Sequence, residues 1–464
     1  MGGKNIGLIG LGVMGQSLAL NLQRHGFGVA VFNRTPQKTK EFTSRHPEIM
    51  PTYSLEAFVR ELDTPRRVLL MLTAGPAVDE TIRALTPLLS RGDVVMDGGN
   101  SFFQDTERRA QNLEAQGLHF LGIGVSGGEE GALKGPCLMV GGPTEGYGQV
   151  SRILTKIAAQ ADGPCCEYLG PRGAGHYVKM VHNAIEYAII QIIAEAYDFL
   201  TRAGELEISK VREIFDEWNH GELGSFLFEI AVEVLGKMDE EKRVPLVTLV
   251  SDRAGQKGTG RWASQNAMDL GVPVPTIDAA VAARNLSAMK DERLNAAKVL
   301  GTSRPPTSRF HAGSVESFRA AVEASVIVSY AQGFHLMSRA SEHYGYSIPL
   351  GKVARIWKGG CIIRAKMLDP ITHALESEEP RNLIVSTEFA GRLIPLDPKW
   401  REAVKQAKAA GIPIPAINAS LDYCDAYRSE RLPANIIQAL RDRFGAHGYE
   451  RIDKAGNFHT NWSN

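Results

Sequence analysis

At 464 residues the chain is longer than one hydrophobic core usually organises, so two or three domains are expected. Lys plus Arg and Asp plus Glu each number 52, and this zero net charge leaves no basic excess for nucleic acid or an anionic membrane surface, so any anion must be held by a local site. The five cysteines, Cys137, Cys165, Cys166, Cys361 and Cys424, are odd in number without CxxC spacing, and no HExxH occurs, which argues against a disulfide framework and a zinc site, predicts no metal and suits a reducing cytoplasm.

The chain enters a strand at once, without a basic-then-apolar leader. The Met1-Gly2 start lacks the Ser or Thr at position 6 that myristoylation needs, because Ile6 stands there. No uninterrupted apolar run is long enough to span a membrane. Up to about residue 170, the runs NIGLIG, GVAVF, RVLLML, DVVMDGG and HFLGIGV alternate with helical stretches. They predict parallel strands joined by crossover helices, an α/β Rossmann-like domain over 1–175.

The first run continues as GLIGLGVMG, with Gly10, Gly12 and Gly15 between a strand and a helix. Glycines there let the backbone approach a pyrophosphate at the helix N-terminus; a tight turn without a ligand is the other reading. The second run ends in FNRTPQK, where an NAD-preferring fold usually has Asp or Glu for the ribose hydroxyls. Asn33, Arg34 and Thr35 offer no carboxylate. Arg34 can grip a 2′-phosphate bidentately and Lys38 can add charge, so NADP is predicted, unless Arg34 merely stacks at the surface. DGGNS at 97–101 and GVSGGEEGA at 124–132 both follow predicted strands, at the ends where open α/β sheets bind ligands. Small residues around Asn100 and Ser126 leave room for a polyol beside a nicotinamide.

From about 176 to 434 the pattern changes to long helical segments such as 176–203, 206–219 and 315–344, a large all-α domain. Its opening stretch, GHYVKMVHNAIEYAII at 175–190, carries Lys179, His182, Asn183, Glu186 and Tyr187 on one stripe, with apolar residues around the remaining circumference. A buried Lys179–Glu186 ion pair is one explanation, but such pairs stabilise poorly once desolvated. A functional cleft is the other, since mutually perturbing titratable groups cluster at active sites. Farther on, SDRAGQKGTG at 251–260 presents Lys257 and Thr259 in a Gly-rich loop, a phosphate site or a mobile surface turn. AYDFLTRAGE and EWNHGELGSFL are echoed later by AQGFHLMSRASE and IWKGGCIIRAKML, which suggests an internal helical duplication. The end of the chain, 435–464, reads as a helix and a polar arm that frays unless it docks.

Taken together, GLGVMG, NRT, DGGN, GVSGGEEGA, GHYVKMVHNAIEY, WNHGEL, AGQKGTG, YAQGF, GGCIIR, LPANIIQALRDRFGAH and HTNW resemble, in the same order from residue 5 to 462, the decarboxylating 6-phosphogluconate dehydrogenases. The resemblance implies a general base, and later acid, at Lys179, and at Glu186 the acid that protonates carbon 1. It implies substrate contacts at Asn100, Ser126, Gly127, Gly128, His182, Asn183, Tyr187, Lys257 and Arg284, with Thr259 beside them. Arg441 and His447 would reach in from the partner subunit of a homodimer with shared sites. Gly10, Leu11, Gly12, Val13, Met14 and Gly15, then Asn33 to Thr35, then Leu72, Thr73 and Ala74, match cofactor positions, and Asn100 borders both ligands. Ala184, Ala188 and Ile189 stand where the family usually has Gly, Gly and Asp, and Val140 where Pro is common; these departures bear on helix packing and affinity, not on chemical groups.

The implied reaction is oxidation and decarboxylation of 6-phosphogluconate to ribulose 5-phosphate with NADP, in the pentose phosphate pathway. A positive nicotinamide about 5 Å from Lys179, at an effective dielectric near 20, favours the neutral amine by roughly 3 kcal/mol, and desolvation pushes the same way. The rivals are a β-hydroxyacid dehydrogenase of the 3-hydroxyisobutyrate type, which is shorter and lacks the C-terminal arm, and a non-catalytic NADP-binding sensor.

Overall fold

The computed structural model describes residues 3–301, 310–378 and 380–463; the Met1-Gly2 start lies outside them. Residues Met1–Ser420 form one compact unit and Leu421–Asn464 another.

The first unit opens with β1 (Ile6–Ile9), β2 (Val29–Phe32), β3 (Met50–Thr52), β4 (Arg67–Leu70), β5 (Val94–Asp97), β6 (His119–Ser126) and β7 (Cys137–Gly141). With Cys166–Tyr168 they make one eight-stranded sheet, ordered Cys166–Tyr168, β7, β6, β5, β4, β1, β2, β3. The IGLI run of β1 is apolar throughout because the sheet is covered on both faces: Ile6 and Leu8 enter one apolar cluster, Ile9 the other. All neighbours are parallel except β6 and β7, which pair antiparallel from Gly122↔Gly141 to Ser126↔Cys137. The physical reason is the connection: only the short helix Gly128–Lys134 lies between them, too little for a parallel crossover. The five predicted strands are present, and β3, β7 and Cys166–Tyr168 are additions to them. The strand order reverses at β1, between β4 and β2, which opens a crevice at the strand C-termini.

After Tyr168 the unit is helical. The predicted 176–203 segment is helix Ala174–Asp198 continued by a π-helical turn, Phe199–Ala203; the others are Ile208–His220 and Ala312–Tyr344. The internal echo has a physical counterpart. The two Gly turns hydrogen-bond to each other through Phe226 N–H to the Arg364 carbonyl at 3.0 Å and Lys366 N–H to the Gly224 carbonyl at 2.9 Å. A second echo, GVPVPTI at 271–277 against GIPIPAI at 411–417, opens two further helices. Glu195 of the first copy accepts the N–H groups of Ala416 and Ile417 at 2.8 and 2.9 Å, while Gln332 of the second accepts that of Thr276 at 3.1 Å. Each copy thus caps a helix of the other.

In the second unit, helix Ala434–Gly445 precedes a two-stranded hairpin, Tyr449–Glu450 with Asn457–Phe458. The HTNW tail does not dangle, because buried Asp442 collects it: His459 Nδ1, Thr460 N and Trp462 Nε1 lie 2.8, 3.1 and 2.7 Å from its oxygens, and Gly448 N at 3.0 Å. Burial alone would raise the Asp442 pKa, but these donors outweigh it and hold the carboxyl well below the usual range.

Candidate active site

The helix Ala174–Asp198 crosses the end of the sheet at glycine-only distance. A Cβ on Gly122, Gly124, Gly141 or Gly175 would collide with the opposing element; at Gly124 it would strike the Lys179 side chain itself. This close approach puts Lys179 against β6, beside Ser126 at the strand's end. A cavity of about 620 Å³ opens there, lined by Lys179, Asn183, Glu186 and Tyr187 from the helix and by Asn100, Ser126, Gly127 and Gly128 from the two strand ends. Lys257, Thr259 and Arg284 close its far side. Four of the five stripe residues therefore face a cleft rather than forming an internal ion pair.

Lys179 is 5% exposed, and burial lowers its pKa although Glu186 pushes it back up. Burial raises the Glu186 pKa against the opposing pull of Lys179 and Arg284. Both groups are displaced toward their neutral forms, which suits a base and an acid. His182 does not line the cavity. It is fully buried behind it, with Nε2 3.2 Å from Ser126 Oγ and Nδ1 3.0 Å from Asn183 Oδ1 and 3.4 Å from Lys179 Nζ. Burial, then Lys179, drive its pKa well below that of ordinary imidazole, so it orients these groups as a neutral ring. The departures lie elsewhere: Ala184 and Ala188 are fully buried, and Ile189 borders a largely apolar gap with Leu227, Phe228 and Val326.

The 251–258 loop is laced to the helices behind it. Arg284 Nη1 donates to the Gly255 carbonyl at 3.2 Å, Gln256 Nε2 to Asn285 Oδ1 at 2.6 Å, and Ala254 N–H to Ser287 Oγ at 3.0 Å. Arg284 also lies over the Tyr187 ring, 4.1 Å from its centroid. A free surface turn would lack these ties, and they hold Lys257 at the cavity wall.

A second cavity, of about 820 Å³, shares Asn100, Val125, Met14 and Lys257 with the first and runs along Gly12, Val13, Gly15, Leu72, Thr73 and Ala74. A third, of about 490 Å³, continues past Gly10, Asn33, Arg34, Thr35 and Lys38. The glycines fit a pyrophosphate cradle. Gly15 packs so tightly on the Gly10 carbonyl that no Cβ fits, whereas Gly12 faces open space. Leu11 is buried and contributes through its backbone, its N–H donating to Asn33 Oδ1 at 3.0 Å, which joins the glycine turn to the β2 end. Arg34 and Lys38 put two cations on the wall of that cavity, which Glu80 also lines.

The family model described as 6-phosphogluconate dehydrogenase, C-terminal domain, matches residues 175–462, and that described as the NAD binding domain of 6-phosphogluconate dehydrogenase matches 5–170. The chain belongs to the 6-phosphogluconate dehydrogenase family. It is 49% identical to the NADP(+)-dependent decarboxylating 6-phosphogluconate dehydrogenase of Bacillus subtilis, over 100% of both chains. It is 47% identical to that organism's NAD(+)-dependent decarboxylating 6-phosphogluconate dehydrogenase, over 99% of each. The solved Plasmodium falciparum 6-phosphogluconate dehydrogenase, studied apo, with its cofactor NADP+ and with its substrate 6-phosphogluconate, matches at a TM-score of 0.95 and 40% identity, covering 99% of this chain and 100% of that one. Whole-chain identity barely separates the two cofactors, and Asn33 to Thr35 carry no carboxylate. Arg441 and His447 are exposed in the second unit. Gln256, Trp262 and Ile362 line the cavities without having been singled out; Gln256 and Ile362 sit inside the quoted AGQKGTG and GGCIIR motifs, so proximity to a motif was the available signal.

Proposed function

We propose that the cleft oxidises and decarboxylates 6-phospho-D-gluconate to D-ribulose 5-phosphate and CO2 with NADP+, the reaction of the oxidative pentose phosphate pathway. The observation that carries this is one helix presenting a lysine and a glutamate, both pushed toward neutrality, into a cavity that is continuous with the cofactor trough. Gly10 to Gly15, Arg34 and Leu72 to Ala74 would hold NADP+, which would supply the acceptor for the hydride leaving carbon 3. Neutral Lys179 takes the proton of the C3 hydroxyl and, now cationic, returns one to the keto oxygen as the carboxylate leaves as CO2. Glu186, whose pKa burial raises, then delivers its proton to C1 of the enediol while the enol hydroxyl gives its proton back to Lys179, leaving the ketone. Lys257 and Arg284 supply the cations for the phosphate, and Ser126, Asn183 and Asn100 the hydrogen bonds that orient the polyol.

The working division is the cofactor domain 1–175, the all-α domain 176–434 and the arm 435–464, in a cytoplasmic homodimer. Arg441 and His447 then complete the partner's site. In support, helix Ala434–Gly445 leaves Ile436, Ile437, Leu440 and Phe444 55–73% exposed along one face, an apolar surface suited to another subunit. Initial rates decide the reaction: NADPH should form with 6-phosphogluconate and not with 3-hydroxyisobutyrate, and the opposite preference would refute it.

A further inference from the structure

Two loops frame the junction of the cofactor and substrate cavities, and one buried guanidinium holds both. Leu72–Gly75 follows β4 on the cofactor side; Gly98–Ser101 follows β5 and carries Asn100, which borders both cavities. The loops touch, since a Cβ on Gly99 would fall 2.9 Å from the Leu72 carbonyl oxygen. Behind them stands Arg109, 2% exposed, from helix Phe103–Glu114. Its Nε and Nη2 donate to the two oxygens of Asp79 at 2.9 and 3.1 Å, and Nη2 also to the Gly75 carbonyl at 3.2 Å. Its Nη1 donates to Ser101 Oγ at 3.2 Å and to Asp97 Oδ2 at 3.4 Å. All five guanidinium N–H groups are thereby engaged, and the fork spans both loops. Asp97, without exposure, completes the tie: Oδ1 accepts the Gly99 N–H at 3.0 Å and Oδ2 the Ser101 hydroxyl at 2.6 Å.

Fold stability alone explains this cluster poorly, because the desolvation of a buried ion pair largely offsets its attraction. A planar fork does fix the relative position of what it grips. We propose that Arg109, anchored by Asp97, is a positioning residue that sets the cofactor-side loop Leu72–Gly75 against the substrate-side loop carrying Asn100. It thereby sets the approach of the substrate's reacting carbon to the cofactor. Neither side chain lines a cavity, so both act through the loops. This rests on reading the cavities as the NADP and 6-phosphogluconate sites.

Arg109→Lys keeps the charge and loses the fork. In the full-length, ligand-free protein, hydrogen exchange in both loops should rise roughly tenfold while β1 and β6 are unchanged. Single-turnover NADPH formation at saturating ligands should fall roughly tenfold, with NADP+ and 6-phosphogluconate affinities by calorimetry within about threefold of wild type. Added guanidinium should restore part of the rate to Arg109→Ala. If Arg109→Lys does not fold, Ser101→Ala, which removes one shared contact, is read the same way with an expected loss of about threefold. Unchanged loop exchange with a wild-type single-turnover rate overturns the proposal. So does a large affinity loss for one ligand with an unchanged rate at saturation. Wild-type protein that makes no NADPH from 6-phosphogluconate refutes the reading of the cavities instead, and loop exchange then decides the role of Arg109.

Discussion

Lys179 and Glu186 sit two turns apart on one helix, so their separate roles should divide in kinetics. Lys179→Ala leaves the C3 hydroxyl proton without an acceptor and should reduce NADPH formation by at least about a thousandfold. Glu186→Ala still permits hydride transfer and should give a burst of about one NADPH per site before slow turnover, because enediol protonation is then the retarded step. A burst of NADPH from Lys179→Ala, measured by stopped-flow absorbance, would contradict the assignment. At the other end of the trough, Arg34→Asp removes the cation at the 2′-phosphate and adds repulsion. NADP affinity should fall by at least about 2 kcal/mol and NAD affinity far less; equal losses by calorimetry would refute that reading of the β2 end. These residues were legible in the sequence because each stands in a local pattern: a polar stripe on an apolar helix, or a small-residue loop after a strand. Arg109 and Asp442 were not. Arg109 stands in TERRAQ, which reads as a solvated helix face, and its burial depends on partners at 75, 79, 97 and 101 that only the fold assembles.

At the scale of elements, the reciprocal caps give the helical duplication an energetic consequence. Glu195 is buried, and desolvation raises its pKa to about 7 against the hydrogen bonds from Ile417, Ala416 and Gln191. The folded protein therefore holds this proton in a range where the unfolded chain has lost it. The resulting stability is complete below the ordinary value of 4.5 and is lost as pH rises through about 7. At about 1.4 kcal/mol per pH unit the span is roughly 3 kcal/mol. Glu195→Gln removes the titration, so wild type should gain on the variant as pH falls from 8 to 4.5, read from urea midpoints; parallel pH profiles would exclude this linkage. The first echo was visible as sequence likeness, whereas GVPVP against GIPIP gains meaning only once Glu195 and Gln332 are seen exchanging caps. Strand β7 was harder to foresee, since LMVGG follows a short helix and joins the sheet antiparallel.

At the scale of the whole molecule, a shared active site makes a quantitative prediction. If Arg441 serves the partner's site, Lys179→Ala and Arg441→Ala homodimers are both nearly inactive. A mixed dimer then has one site with both lesions and one with neither. Equal amounts unfolded and refolded together give half mixed dimers, so activity should recover to roughly a quarter of wild type. No recovery, with mixed dimers confirmed by native mass spectrometry, would place Arg441 in its own chain's site. The docking of the tail was not foreseen, because its HTNW residues find their partner in Asp442, one carboxylate of a helix that otherwise reads as surface. Oxidative decarboxylation itself is tested most directly by measuring CO2 and NADPH together as the wild-type protein consumes 6-phosphogluconate. The account predicts equal molar amounts throughout the reaction; NADPH accumulating without CO2 would contradict it.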